Sequence, residues 1–247
     1  MMTTFASVPD RVMKRVRASG RGSVFTPRDF LDLAARTAVD QALSRLVKAG
    51  QLRRLARGLY DFPKLHPKLG ALNPASDDVA QALARETGSH LQIDGARAAN
   101  ALGLSTQVAA QSSWLTDGPS RRVVLGKRVV DLRHASPKHL IAPGSPAGTV
   151  VQALRHVGVS RAADVLRVAA QSLTESDKRT LAKSAAQAPA WMRATLLSLA
   201  LLCPSIALAA PAAGGQHRRG QRFLQRRVAL VLAPAALEQG LARGVDV

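Results

Sequence analysis

The sequence predicts an α+β protein, mostly helical. Three observations carry that expectation. Hydrophobic residues make up 47% of the 247 positions and aromatics only 3%, so the cores must be built from Ala, Leu and Val, a composition that leans helical. Helical periodicity alternates with short β-prone runs bounded by Gly, Pro and Ser. The stretch Val24–Phe62 then gives one order in particular: short helix, longer helix, glycine stop, and two apolar runs around a basic turn. That is the order of an N-terminal winged helix-turn-helix, followed by a small α+β domain with a C-terminal helical bundle.

Val8 to Ser19 reads as the first helix. Val8, Val12 and Val16 recur at i, i+4 and i+8 with Met13 beside them, and Gly20 and Gly22 end it. Val24-Phe25 is a short extended piece. Thr26-Pro27 with Asp29 is a helix-start signature, and Phe30, Leu31 and Leu33 supply the buried side of that short helix. Thr37 with Asp40 resembles a capping box, from which a second helix runs to Ala49, with Gly50 beyond it. Val39, Leu43, Leu46 and Val47 share its buried face; Gln41, Ser44, Arg45 and Lys48 share the opposite one. In helix-turn-helix proteins such a face enters the major groove, where Gln pairs with adenine and Arg with guanine. A polar face that simply meets water is the plainer alternative.

Leu52 and Leu55 flank Arg53-Arg54, and Leu59, Tyr60 and Phe62 form a second run across Arg57-Gly58. Two β-prone pieces around a glycine turn make a hairpin. With Arg53, Arg54 and Arg57 on it, this hairpin is expected to lie on the phosphate backbone as a wing. Tyr60 and Phe62 are expected in the core. Thr26, Arg28, Arg36 and Thr37 complete the candidate DNA-contacting set.

Three prolines and a glycine between Pro63 and Pro74 suggest a linker, taken as residues 64–76 after a first domain of 1–63. The second domain, 77–202, reads as a helix from Asp77 to Thr87, an extended run Leu91–Ile93 and a small-residue helix from Gly95 to Leu102. Strands follow over Gln111–Thr116, Arg121–Leu125 and Val129–Arg133, then helices over Ala147–His156, Arg161–Ser172, Glu175–Ala186 and Pro189–Leu202. Residues 203–247 form an Ala/Pro-rich basic tail.

The formal net charge is +19, unevenly spread: +9 over residues 1–70, +2 over 71–177 and +8 over 178–247. Basic ends around a nearly neutral middle point to a polyanionic partner, with double-stranded DNA first and an anionic membrane surface second. The uncharged run from Ala194 to Gly215 is long enough to span a bilayer, but Pro204 and Pro211 interrupt it, and no membrane association is expected. The N-terminus has no apolar signal region, which makes a cytoplasmic, nucleoid-associated protein the expectation. A single cysteine, Cys203, excludes an internal disulfide and a cysteine-based zinc cage. The six histidines show no metal-ligand spacing, and there is no P-loop, no GxGxxG after a strand and no GxSxG. No enzyme activity, cofactor or metal is expected.

Two runs carry a family resemblance. RGSVFTPRDFLDLAARTAVDQALSRLVKAGQLRRLARGLYDFPK, followed by DGARAANALGLSTQVAAQSSWLTDGPSRRVVLG, resembles the AbiEi-like antitoxin and transcriptional-regulator family of bacterial type IV toxin–antitoxin systems, over roughly Val8 to Leu199. The resemblance implies a winged helix that binds operator repeats in its own promoter as a repressor. It also implies an antitoxin domain over 77–202 that opposes a nucleotidyltransferase toxin without a stable complex. Gln41, Ser44, Arg45 and Lys48 would lie on the recognition helix, and Arg53, Arg54 and Arg57 on the wing. Ala109 departs from the family, which has proline there. A solitary regulator, or a protein-interaction module on the same fold, is the alternative.

Overall fold

In the computed structural model, which describes residues 7–105 and 112–201, helix α1 spans Val8–Ser19 and buries Val12, Met13 and Val16. Ser7 and Asp10 close a capping box at its start. After strand β1 (Val24–Phe25), the expected short helix is a 3-10 helix over Pro27–Phe30, opened by a capping box between Thr26 and Asp29. Helix α2 spans Arg36–Lys48. It starts one residue before Thr37, with Ala35 as N-cap, so the expected Thr37–Asp40 capping box does not form. Asp40 instead accepts from Arg36 Nε at 3.0 Å. Gly50, at φ +68°, takes the left-handed turn that ends the helix, where a side chain would be strained.

Strands β2 (Arg53–Ala56) and β3 (Leu59–Asp61) form the expected hairpin, and β1 joins it to give the antiparallel order β1-β3-β2. Val12, Val16, Phe25, Phe30, Val39, Leu43, Leu46 and Tyr60 meet in one core cluster. Arg15 ties α1 to the segment after the 3-10 helix: it donates to both Asp32 carboxylate oxygens at 2.6 Å and to the Asp29 carbonyl at 2.7 Å. This helix–strand–helix–hairpin arrangement is a winged helix-turn-helix.

The expected linker contains structure. Strands β4 (Leu65–His66) and β5 (Gly70–Ala71) make a small antiparallel hairpin, exposed along its length. Helix α3 (Ser76–Thr87) follows, ended by Gly88. Strand β6 (Leu91–Ile93) and helix α4 (Gly95–Ala101) come next, the helix capped by Asp94, which accepts from the Arg97 amide. Gly95 is small for a packing reason, since a Cβ there would lie 2.7 Å from the His156 Cβ. Strands β7 (Ser112–Thr116), β8 (Arg121–Leu125) and β9 (Arg128–His134) complete a four-stranded sheet of order β6-β7-β9-β8. Strands β7 and β9 run parallel, and β8 is an edge. Helix α5 spans Pro146–Val157.

The boundary at residue 63 does not separate two cores. Val24 and Leu59 of the winged helix join Val79 and Leu83 of α3 and Trp114, Val123, Val130 and Leu132 of the sheet in a second cluster. The compact unit extends to His156. The other unit begins at Val157 and is helical, with α6 (Ala162–Ser172), α7 (Glu175–Ser184) and α8 (Ala190–Leu201). Within it α6 and α7 both pack on α8, and Val165, Leu181, Met192 and Leu196 are buried. Among the described residues no helix is long and apolar enough to cross a membrane. Ala109, Gln111, Leu202 and the tail 203–247, with Cys203, His217 and most of the apolar run from Ala194, lie outside the described residues.

Candidate nucleic-acid interface

The face of α2 is disposed as its periodicity predicts. Val39, Ala42, Leu43 and Leu46 are buried against α1 and the core, which turns Gln41, Ser44, Arg45 and Lys48 outward. None of these four makes a side-chain hydrogen bond or ion pair with another described residue. Thr37 is exposed in the first turn of the same helix.

The wing divides by strand parity. Successive side chains on β2 point to opposite sides, so Arg53 and Arg54 cannot both face the same partner. Arg53 turns inward. Its Nε and Nη2 hold the two Asp61 carboxylate oxygens at 3.0 and 2.6 Å, and Nη2 also donates to the Leu72 carbonyl at 2.7 Å. The Asp61 side chain is 1% exposed. Its carboxylate pushes the Arg53 pKa above the ordinary arginine value. Arg53, expected on the phosphate backbone, is therefore a structural clamp between β2, β3 and the chain leaving β5. Arg54 is exposed and unpaired among the described residues.

Three more of the expected contacts have partners within the fold, although only Thr26 is buried and Arg28 and Arg36 stay exposed. Thr26 is fully buried and its amide donates to Asp29 Oδ2 at 2.7 Å, so it closes the 3-10 helix and is not presented to a partner. Arg28 donates from Nη1 to the Glu86 carbonyl at 2.8 Å, at the end of α3. Arg36 is paired with Asp40. Arg57 is exposed, and its carbonyl accepts from Arg121 Nη2 at 2.6 Å. That last contact brings in residues the sequence did not single out. Arg121, the first residue of β8, also meets Glu86 of α3 at 2.5 Å. Arg36, Arg54, Arg57 and Arg121 line one open recess of about 450 Å³ together with Asp40 and Glu86. In the sequence Arg121 is only the first residue of an expected strand. Nothing local to it signalled a partner in the wing 64 positions away.

Residues 11–181 match a family described as a family of unknown function, DUF6088. The chain belongs to this family. Membership in DUF6088 assigns no activity. No curated protein matches the chain. Among solved structures it is similar to the RV2827C protein from Mycobacterium tuberculosis, at 18% identity and a TM-score of 0.39, over 89% of this chain and 81% of that one. A likeness that loose transfers neither fold nor role to this DUF6088 protein.

Proposed function

We propose that this chain is a sequence-specific DNA-binding transcriptional repressor, acting without catalysis or a cofactor. One observation carries the reading: α2 presents Gln41, Ser44, Arg45 and Lys48 outward on one face, with no internal partner among the described residues. Arg and Gln are the side chains that read guanine and adenine edges bidentately, and an unpaired guanidinium is free to do so. Arg54 and Arg57 beside that helix supply charge for phosphates, which set position and affinity without reading sequence. The basic bias of the first 70 residues fits the same partner.

The antitoxin role extends this proposal and rests on the resemblance to AbiEi-like regulators. The second part of the chain would oppose a nucleotidyltransferase toxin functionally, without a stable complex.

A gel-shift titration with the DNA upstream of its own coding region, against excess random competitor, tests the repressor reading. Retention of the complex under competition supports it. Equal affinity for both DNAs contradicts it and leaves a protein-docking role for the same fold. Growth rescue on co-expression with an adjacently encoded nucleotidyltransferase tests the antitoxin role, and absence of rescue contradicts it.

A further inference from the structure

We propose that the recess between the wing and the edge strand β8 is a phosphate-binding site, so that the α+β part of the chain, and not only the winged helix, holds the nucleic acid. This rests on the DNA-binding reading for its ligand and goes beyond it in assigning a second element to the interface. Three contacts build the site. Arg121 reaches across from β8 and is fixed at both ends of its guanidinium, to Glu86 at 2.5 Å and to the Arg57 carbonyl at 2.6 Å. A guanidinium held this way is pre-oriented, so ordering it around a ligand costs little. The wing turn lies close to the same carboxylate: a Cβ on Gly58 would sit 3.3 Å from Glu86 Oε1. The turn therefore lies against the end of α3.

The charges in the recess do not cancel. Asp40 is matched to Arg36 and Glu86 to Arg121, which leaves Arg54 and Arg57 without a carboxylate among the described residues. Two unmatched guanidinium groups beside two matched ones, in a recess of about 450 Å³, suit a tetrahedral dianion or a phosphodiester. The ligand chemistry is a phosphate group. Its source is the backbone of the bound duplex or, otherwise, a free polyphosphate.

The test uses the full chain and three variants, Arg54→Gln, Arg121→Gln and Arg121→Lys, each checked for an unchanged thermal unfolding profile. The Arg54 side chain makes no hydrogen bond or ion pair among the described residues, so its variant reports on the recess even if loss of Arg121 loosens the wing. Affinity for a promoter duplex and a random duplex is measured against salt, and pyrophosphate binding is measured by calorimetry without DNA. For a backbone phosphate, both Gln variants lower the log–log salt slope by about 1 on both duplexes, and Arg121→Lys recovers part of it. For a free polyphosphate, wild type binds pyrophosphate saturably, both Gln variants lose that binding, and the DNA slopes stay as they were. Wild-type slopes in both Gln variants without saturable pyrophosphate binding overturn the proposal, as does an effect confined to one of the two. If wild type shows no promoter preference while both variants still lower the slope, the repressor reading fails and the phosphate site stands.

Discussion

The two sides of the wing use the same residue type for opposite purposes. On the inner side Arg53 is bidentate to Asp61, whose side chain is almost wholly buried, and donates to a carbonyl of the next segment. On the outer side Arg54 and Arg57 are exposed, with no carboxylate assigned to them among the described residues. Helix α2 shows a weaker form of the contrast: Arg36 is in an exposed i,i+4 pair with Asp40, whereas Arg45 and Lys48 have no side-chain partner among the described residues. A cationic count is therefore a poor map of a nucleic-acid surface. The better map sets aside the cations that a buried carboxylate holds, as Asp61 holds Arg53.

The largest expected effect separates the two sides by stability. Arg53→Ala leaves the Asp61 carboxylate buried without its cation and should cost about 3 kcal/mol in urea unfolding. Arg54→Ala, one residue along, should stay within about 0.5 kcal/mol of wild type. Equal costs for both would erase the distinction between clamp and open side chain.

Next in size is the effect on recognition. Arg45→Ala should lower affinity for the promoter site by about 1–3 kcal/mol and relax base preference at one position, with little change on random DNA. Equal losses on both DNAs would make Arg45 another phosphate contact. Arg57→Ala is expected to be milder and uniform across sequences, lowering the salt slope by about 1. A sequence-dependent loss would move it from positioning to reading.

The smallest effect is on pH dependence. Hydrogen bonds from Arg15 hold the Asp32 carboxyl below its usual pKa, and His90 does the same for Asp117. A carboxylate whose folded-state pKa is depressed stabilises the fold above its unfolded pKa of about 3.9 and loses that contribution as pH falls through the folded value. Thermal unfolding from pH 6 down to pH 2 should show these contributions fading in the acid range. Arg15→Gln should flatten part of that acid loss, because it removes the partner that depresses Asp32. An unchanged acid profile in Arg15→Gln would deny the Arg15–Asp32 pair a role in stability.

The winged helix was largely legible because its signals are local. Spaced valines mark α1, Gly50 marks the end of α2, and Arg57-Gly58 marks the hairpin turn. Its errors have one cause, which is that local signals do not record partners. Thr37 and Asp40 have capping-box spacing, but Arg36 extends the helix and takes the carboxylate. Arg53 and Arg54 look alike in sequence, and only the pairing of Arg53 opposite Asp61 decides which is inward. The β4–β5 hairpin was hidden by prolines that usually mark a linker. The core joining Val24 and Leu59 to Trp114, and the reach of Arg121 to the wing, are long-range contacts that no window of sequence contains.

The most direct measurement of the central claim is the affinity of the full chain for its own promoter fragment and for a scrambled fragment of equal length, across a salt series. The account predicts tighter binding to the promoter at every salt concentration, with a log–log slope on the order of −5 from about six phosphate contacts. Identical affinities for the two fragments would contradict it.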